Sequence, residues 1–396
     1  MINQKMKALG TTRSKIRELF EYGKALAEKI GKENVFDFTL GNPSVECPAV
    51  VNDFIAETVK KDAFAAHSYT SSQGDKKTRE AVCAYNLKKY GFALDPDLVY
   101  MTCGAAAALR ITFQAIISSE KDEIIALVPY FPEYKVFAEG AGAIFKEAAC
   151  DKEFKPDFKD LESKITKNTR AVIINSPNNP SGAVYNEKDV LAIAELLKRK
   201  EKEYGETIYL VSDEPYREIV FDGEGCPFIP AYYDDTVICY SYSKALSVPG
   251  ERIGYVAVSP KAAYAQDLTY AVNGAGRSLG YVCAPSLFQK VVANFAGEVA
   301  DINPYKENRD YLVEMLNGLG FTCANPKGAF YLFMKSPVED AEEFSEKAKT
   351  FGILVVPSDT FGMKGYVRIA TCVSEETVKR SEKAFTALAG EYFGKK

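Results

Sequence analysis

The feature that most constrains the fold of this chain is a series of short apolar runs, rich in β-branched residues, that end in polar or glycine-rich turns. The clearest runs lie at 123–128, 171–175, 208–212 and 236–241. They are apolar on both faces, as are strands that helices cover on either side. Charged amphipathic helices are predicted at 75–90 and 186–204. The pattern predicts an α/β core with a mostly parallel sheet flanked by helices.

The pattern changes towards the end of the chain. A helical stretch follows residue 303, and a last helix is predicted from residue 374. Between these two helices lie short strand-like runs at 328–334, 352–356 and 366–370. Such a mixture is typical of a smaller α+β unit.

The first fifty or so residues contain an amphipathic helix at 14–30 and a short apolar run at 36–40. These two elements are too few for a core of their own, so we expect them to pack on the C-terminal unit. The chain is therefore predicted to form a large domain and a smaller α+β domain made of both chain ends. The predicted segments are 1–54 (packing on the small domain), 55–295 (large domain) and 296–396 (small domain).

Composition excludes several classes of function for the 396-residue chain. The formal net charge is −5, and no stretch concentrates lysine and arginine, so nucleic acid is not an expected partner. The longest aliphatic run, at 124–128, is far short of the roughly 20 residues that span a bilayer. We therefore expect no membrane partner. The polar start of the chain has no signal-peptide core and predicts a cytoplasmic protein.

The nine cysteines are scattered, without a Cys-x-x-Cys pair. This spacing favours reduced, structural thiols and excludes sites of the zinc-finger type. His67 is the only histidine in the sequence, so multi-histidine metal sites are excluded and we predict no metal. A general base is expected to be a lysine, a tyrosine or a carboxylate.

Polar residues follow three of the predicted strands. Asn179 lies in the turn S-P-N-N-P-S-G, Asp213 and Tyr216 lie in S-D-E-P-Y, and Lys244 lies in S-Y-S-K. Each has an ordinary structural explanation, as a turn residue, a helix cap or a solvated lysine. In a parallel sheet, however, the carboxyl ends of the strands meet at one edge, where ligands bind. Their convergence there predicts a functional site.

The segment S-Y-S-K-A-L-S-V-P-G-E-R-I-G-Y at 241–255 resembles the class I/II aminotransferases, pyridoxal 5′-phosphate (PLP) enzymes of fold type I that include aspartate aminotransferase. In that family the Schiff-base lysine stands at the position of Lys244, and a phosphate-binding arginine stands at that of Arg252. Further matching pieces, spread over nearly the whole chain, are L-G-N-P (40–43), S-Y-T (68–70), T-C-G-A-A-A-A-L (102–109), P-Y-F-P-E-Y (129–134), G-A-F-Y (328–331) and Y-V-R-I (366–369).

The resemblance implies a PLP cofactor, a large sheet of the seven-stranded type and transfer of an amino group between an L-amino acid and a 2-oxo acid. It places Asp213 beside the ring nitrogen, Tyr216 and Asn179 at the phenolic oxygen, and Phe131 over one ring face. Lys244 is implied to bind the cofactor covalently and to move the proton. A lysine near a cationic cofactor can have its pKa lowered enough for that role.

The resemblance also assigns a phosphate site. Small residues at the start of a helix leave backbone amides open to an anion, and hydroxyl groups and an arginine complete the site. The residues assigned to it are Gly104, Ala105, Ala106, Ser241, Ser243 and Arg252. The neighbouring subunit of the family contributes a tyrosine, which corresponds to Tyr69 here. The implied assembly is a homodimer with a shared active site.

The expected substrate contacts begin with Arg368, which matches the family's carboxylate-binding arginine and offers two parallel donors. Backbone near Gly41, and Asn179, are expected to help. Arg277 lies roughly where dicarboxylate-specific relatives grip the distal acid, although its surroundings differ from theirs. Arg277 is thus either a specificity residue, which favours aspartate or glutamate as one partner, or a structural arginine at the dimer interface.

Other functions compete with amino-group transfer. A β-lyase or an aminocyclopropane-carboxylate synthase shares nearly every cofactor contact. A PLP-binding transcriptional regulator is disfavoured, because only some forty residues precede Gly41 and they show no basic helix-turn-helix pattern. A nicotinamide dehydrogenase is disfavoured because no G-x-G-x-x-G follows the first predicted strand.

Overall fold

The structure, a computed structural model, describes residues 2–11 and 14–394. The strands are, in chain order, β1 (Phe36–Asp37), β2 (Val99–Thr102), β3 (Glu123–Leu127), β4 (Ile144–Ala148), β5 (Thr169–Asn175), β6 (Tyr209–Asp213), β7 (Thr236–Ser241), β8 (Gly254–Val258), β9 (Thr322–Cys323), β10 (Tyr331–Lys335), β11 (Ile353–Leu354), β12 (Val356–Pro357) and β13 (Tyr366–Ala370). The α-helices are α1 (Gln4–Thr11), α2 (Lys15–Ile30), α3 (Ala49–Lys61), α4 (Ala63–His67), α5 (Lys76–Tyr90), α6 (Ala105–Ile116), α7 (Glu133–Gly140), α8 (Phe158–Lys164), α9 (Glu187–Tyr204), α10 (Tyr242–Ala245), α11 (Ala265–Ser278), α12 (Ser286–Phe295), α13 (Asn303–Gly318), α14 (Ala341–Lys349) and α15 (Glu375–Phe393).

The large sheet has seven strands in the order β2-β8-β7-β6-β5-β3-β4. Strand β8 runs antiparallel to both neighbours, and the other neighbouring pairs are parallel. The predicted fold class, an α/β fold with a mostly parallel sheet of this size, is confirmed. The four clearest apolar runs form the adjacent strands β3, β5, β6 and β7.

Alternate residues of these strands enter cores on opposite faces of the sheet. In β7, Val237 and Cys239 belong to one hydrophobic cluster, whereas Ile238 and Tyr240 belong to another. All four are buried. A strand that buries both faces needs apolar residues at successive positions, which explains why its sequence shows no polar alternation.

The predicted helices begin where local side-chain caps allow. Ser14, Asp75, Asn186 and Ser374 each accept a hydrogen bond from a backbone N–H three residues later. Such caps satisfy amide groups that the first turn of a helix leaves without partners. The helices predicted from 14, 75, 186 and 374 therefore begin one residue after the predicted start.

The C-terminal part forms a four-stranded sheet of order β12-β13-β10-β9. Strand β1 pairs in parallel with β11, so the N-terminal segment is joined to this part of the chain. The division of the chain into segments at 54/55 and 295/296 stays a prediction. Residues 1, 12–13 and 395–396 of the first and last segments lie outside the described residues.

Two predicted strands of this part were wrong in their extent. The run at 328–334 becomes a strand only from Tyr331, because the amide groups of Gly328 and Ala329 donate to the carbonyls of Gly182 and Ile219, in the loops that follow β5 and β6. The run at 352–356 divides into β11 and β12, which belong to different sheets. Hydrogen bonds to distant segments delay the first strand, and pairing with two different strands divides the second run.

Within residues 2–11 and 14–394, no helix combines the length and the apolar composition that crossing a bilayer requires.

Candidate active site

A cavity of about 980 Å³ opens at the carboxyl ends of β5, β6 and β7. Asn175 and Asp213 are the last residues of β5 and β6 and lie opposite each other in register, and β7 ends at Ser241. Residues of the C-terminal sheet and of the N-terminal segment complete the walls. The predicted site residues that line this cavity are Gly41, Ala105, Ala106, Phe131, Asn179, Asp213, Tyr216, Ser241, Ser243, Lys244, Arg252 and Arg368.

Asp213 is a buried carboxylate with one oxygen in use. Its Oδ2 accepts a hydrogen bond from the hydroxyl of Tyr134, whereas its buried Oδ1 has no partner among the described residues. Burial raises the pKa of Asp213 to about 7, and the hydrogen bond from Tyr134 opposes this rise. A buried carboxylate oxygen without a partner is suited to accept a proton or a hydrogen bond from an N–H group.

Lys244 lies on α10, the short helix that directly follows β7. Its Nζ donates to the carbonyl of Gly41 at 2.6 Å. Burial lowers the pKa of Lys244 to about 8, and the nearby cations of Arg252 and Arg368 add to this effect. A substantial fraction of this amine is therefore neutral near pH 8, which makes it a competent nucleophile and base.

The start of α6 forms a site for an anion. Gly104 caps this helix with a φ of 82°, and a Cβ added there would lie 2.7 Å from Nη2 of Arg252. Only glycine leaves room for the guanidinium beside the exposed amides of the first turn. The hydroxyl groups of Ser241 and Ser243 are 2.8 Å apart, and Nη1 of Arg252 donates to Ser243 at 3.4 Å.

Arg368 is held rigidly between two segments. Its Nη1 donates to Oδ1 of Asn179 at 2.9 Å and its Nη2 to the carbonyl of Thr39, while its buried Nε has no partner in the described residues. The guanidinium lies over the rings of Tyr331 and Phe361, at 4.5 and 5.1 Å. A buried arginine with donor capacity left is suited to bind a carboxylate.

Tyr216 meets Tyr331, with the two hydroxyl oxygens 2.9 Å apart. A Cβ added at Gly41 would overlap the hydroxyl of Tyr331, so only glycine fits at that point. The backbone of Gly41 thereby comes close to both the tyrosine pair and Lys244.

Sequence analysis missed three side chains that organise the site. Tyr134 and Tyr331 stand inside the quoted motifs P-Y-F-P-E-Y and G-A-F-Y, which could have drawn attention to them. Asn175 ends a predicted strand; its side chain donates to the carbonyl of Asp213 at 2.9 Å and accepts from the amide of Asn179 at 2.7 Å. Asn175 thus joins the end of β6 to the turn that contains Asn179.

Three predicted site residues do not line the cavity of their own chain. Gly104, the cap of α6, lies beside the guanidinium of Arg252 but is not part of the lining. Tyr69 is 97% exposed in the turn between α4 and α5, and Arg277 is exposed in the last turn of α11. Neither lines the cavity. Their assigned roles stay predictions, and both require a second subunit.

Comparison with known proteins decides the family. The family model for aminotransferases of class I and II matches residues 33–385. The chain belongs to this family. It is 30% identical to the aspartate/prephenate aminotransferase of Thermus thermophilus over 361 residues, which cover 89% of this chain and 90% of the relative.

Solved structures agree with this aminotransferase assignment. An aminotransferase from Eubacterium rectale has 51% identity and a TM-score of 0.97, with 99% of both chains covered. The aspartate aminotransferase of Thermus thermophilus solved with maleate has 26% identity and a TM-score of 0.86, with 98% of this chain and 99% of that chain covered. The predicted family, aminotransferase activity and cofactor are confirmed: the protein is a PLP-dependent aminotransferase acting on an amino acid and a 2-oxo acid.

The cavity of this aminotransferase fits PLP. The partnerless Oδ1 of Asp213 can accept a hydrogen bond from a protonated ring nitrogen. The space beside Gly104 suits a phosphate group, which Arg252 and the backbone amides of α6 would hold. When bound, PLP supplies a ring that accepts the electrons left when an amino acid loses its Cα proton. Lys244 is the one amine that lines this cavity within the described residues, so it is suited to carry that proton.

Proposed function

We propose that this aminotransferase uses Lys244 both to bind PLP covalently and to move the proton of the substrate, with aspartate or glutamate as one substrate. The observation that carries the proposal is the meeting of Lys244, Asp213 and Arg368 in one cavity. Their chemistry is complementary: a partly neutral amine, a carboxylate with a free oxygen and a guanidinium with a free donor.

Each residue of the chain has a distinct task in this proposal. Arg368 binds the α-carboxylate of the substrate and thereby sets the direction of the Cα–H bond relative to Lys244. Tyr216 and Asn179 donate to the cofactor's phenolic oxygen, and the two residues are themselves held by Tyr331 and Asn175. Positioning of this kind converts binding energy into rate, because the reacting groups need no further ordering.

The choice of a dicarboxylate rests on two grounds. The Thermus thermophilus relative is named an aspartate/prephenate aminotransferase. Arg277 is an exposed arginine without an ion-pair partner among the described residues, so it is free to grip a distal carboxylate in the cavity of a partner subunit.

Replacing Arg277 with leucine is expected to lower kcat/KM for aspartate and glutamate by about 30- to 1000-fold, which corresponds to the loss of about 2 to 4 kcal/mol. Alanine and phenylalanine should be converted almost as before. The measurement is the half-reaction of each amino acid, followed by the absorbance of the cofactor. Arg17→Leu is the matched comparison. It removes an arginine that lines the cavity of its own chain, whereas Arg277 is proposed to act in the cavity of a partner subunit. Equal losses for all four substrates in Arg277→Leu would assign Arg277 to the dimer interface.

We further propose that the enzyme is a homodimer. Exposed apolar side chains, among them Phe64, Tyr69, Tyr270 and Val282, lie on α4, on α11 and in the segments that follow these helices. The thiol of Cys283 donates to the carbonyl of Thr70, so the segments that contain Tyr69 and Val282 are neighbours. Large exposed apolar patches mark interaction sites.

Sedimentation is expected to give twice the chain mass of 43.7 kDa. Tyr69→Phe should stay dimeric but bind PLP about 10-fold more weakly or worse, since it removes a hydrogen bond to the phosphate across the interface. Tyr264→Phe, another exposed tyrosine, is the control and should not change PLP affinity. An active monomer would contradict the proposal.

We also propose a cytoplasmic location. All nine cysteines lie in the described residues and all are free thiols. Proteins of oxidising compartments commonly pair their cysteines.

A further inference from the structure

Asp213 has an unusually small set of partners for a buried carboxylate. Around it lie Tyr134 of α7, Cys239 of β7 and its chain neighbour Glu214. No lysine or arginine of the described residues forms an ion pair with it. Its one side-chain hydrogen bond within residues 2–11 and 14–394 is the bond from Tyr134 to Oδ2.

Tyr134 cannot easily turn away from Asp213. Its side chain is 1% exposed and packs against the rings of Phe131 and Tyr130, at centroid distances of 5.8 and 6.4 Å. Burial, together with the charge of Asp213, raises the pKa of Tyr134 well above its usual range. The hydroxyl therefore stays protonated, and it acts as the donor towards ionised Asp213.

We propose that Tyr134 is a positioning residue for the transamination reaction: it holds Asp213 ionised and turns Oδ1 towards the ring nitrogen of PLP. The inference rests on the proposed role of Asp213. Tyr134 itself contacts neither substrate nor cofactor in this account and acts through the carboxylate.

The physical reason is a competition for one proton. Burial favours the protonated form of Asp213, whereas a hydrogen bond donated to Oδ2 favours the ionised form. Without the hydroxyl of Tyr134, Asp213 binds a proton more tightly. The proton between Asp213 and the ring nitrogen then moves towards Asp213, and the ring becomes a poorer electron acceptor.

The test is the ¹⁵N NMR signal of ring-labelled PLP in the holoenzyme. In the wild type we expect the shift of a protonated ring nitrogen. In Tyr134→Phe the signal should move towards the value of an unprotonated ring nitrogen. The ratio of protonated to unprotonated nitrogen should fall about 10- to 100-fold, and kcat should fall in parallel. KM should change little, because Arg368 is untouched.

Tyr130→Phe is the matched control. Tyr130 is a buried tyrosine beside Tyr134, but its hydroxyl donates to Oε1 of Glu147 at 2.6 Å and not to Asp213. This variant should keep the wild-type ¹⁵N shift. An equal displacement in Tyr130→Phe and Tyr134→Phe would assign the effect to packing and overturn the inference.

Two further variants complete the test. Placing 3-fluorotyrosine at position 134 keeps the fold and makes the hydroxyl a stronger hydrogen-bond donor. The ¹⁵N shift should therefore stay that of a protonated ring nitrogen, and this result can be read even if Tyr134→Phe loses its cofactor. Asp213→Asn separates the two proposals. If it moves the signal and Tyr134→Phe does not, the inference on Tyr134 fails alone; if neither variant moves the signal, the role of Asp213 fails as well.

Discussion

Replacing Lys244 with alanine is expected to lower the rate of amino-group transfer by at least about 10⁴-fold, because the variant loses the nucleophile and the base together. Lys244 lines the cavity, and its Nζ donates a hydrogen bond to the carbonyl of Gly41. Borohydride reduction of the wild-type holoenzyme should attach the cofactor to Lys244, and mass spectrometry of the peptides should locate it there.

Lys335→Ala is the control for this prediction. Lys335 is an exposed lysine at the end of β10 and does not line the cavity, so its loss should leave the rate unchanged. A cofactor adduct on another lysine, or a Lys244→Ala variant with substantial turnover, would contradict the central role of Lys244.

The pH dependence of cofactor uptake provides an independent measurement on Lys244. Burial lowers the pKa of this amine to about 8, and only the deprotonated amine attacks an aldehyde carbon. In the cofactor-free enzyme, the rate of covalent PLP uptake should therefore rise with pH and level off above about 8. An ordinary lysine would keep rising towards pH 10.

Asp213→Ala is expected to lower kcat by about 10²- to 10³-fold while the protein still binds PLP. The charged partner of the ring nitrogen is lost, whereas the phosphate contacts of Arg252 and α6 remain. Absorbance titration with PLP and single-turnover kinetics would separate binding from chemistry. Asp235→Asn is the control, because Asp235 precedes β7 at the opposite end of the sheet. Near-normal turnover in Asp213→Ala would remove Asp213 from its proposed role.

Stability provides a second measurement on the same residue. Burial raises the pKa of Asp213 to about 7, so its ionised form is less stable in the folded, cofactor-free protein than in the unfolded chain. We therefore expect cofactor-free Asp213→Asn to melt at the same temperature as the wild type or above it. Functional groups of this kind are commonly kept at the expense of stability.

The elements that sequence analysis found differ physically from those it missed. Strands β3, β5, β6 and β7 were found because they are central and buried on both faces. Strand β4 was missed because it lies at the edge and most of its residues are partly exposed. Strand β2 has only four residues, and β8 runs antiparallel to both of its neighbours, so β8 does not belong to the repeating parallel pattern.

The sequence by itself determined the α/β fold, the starts of the capped helices and the chemical groups at the strand ends, including Lys244 and Asp213. These features depend on neighbours a few residues apart or on parallel strands that end at one edge. Only the tertiary structure decided which side chains complete the site. The contacts Tyr134–Asp213, Tyr216–Tyr331 and Asn179–Arg368 join residues 79, 115 and 189 positions apart. Such contacts form when separate segments pack together, and no local pattern in the chain encodes that packing.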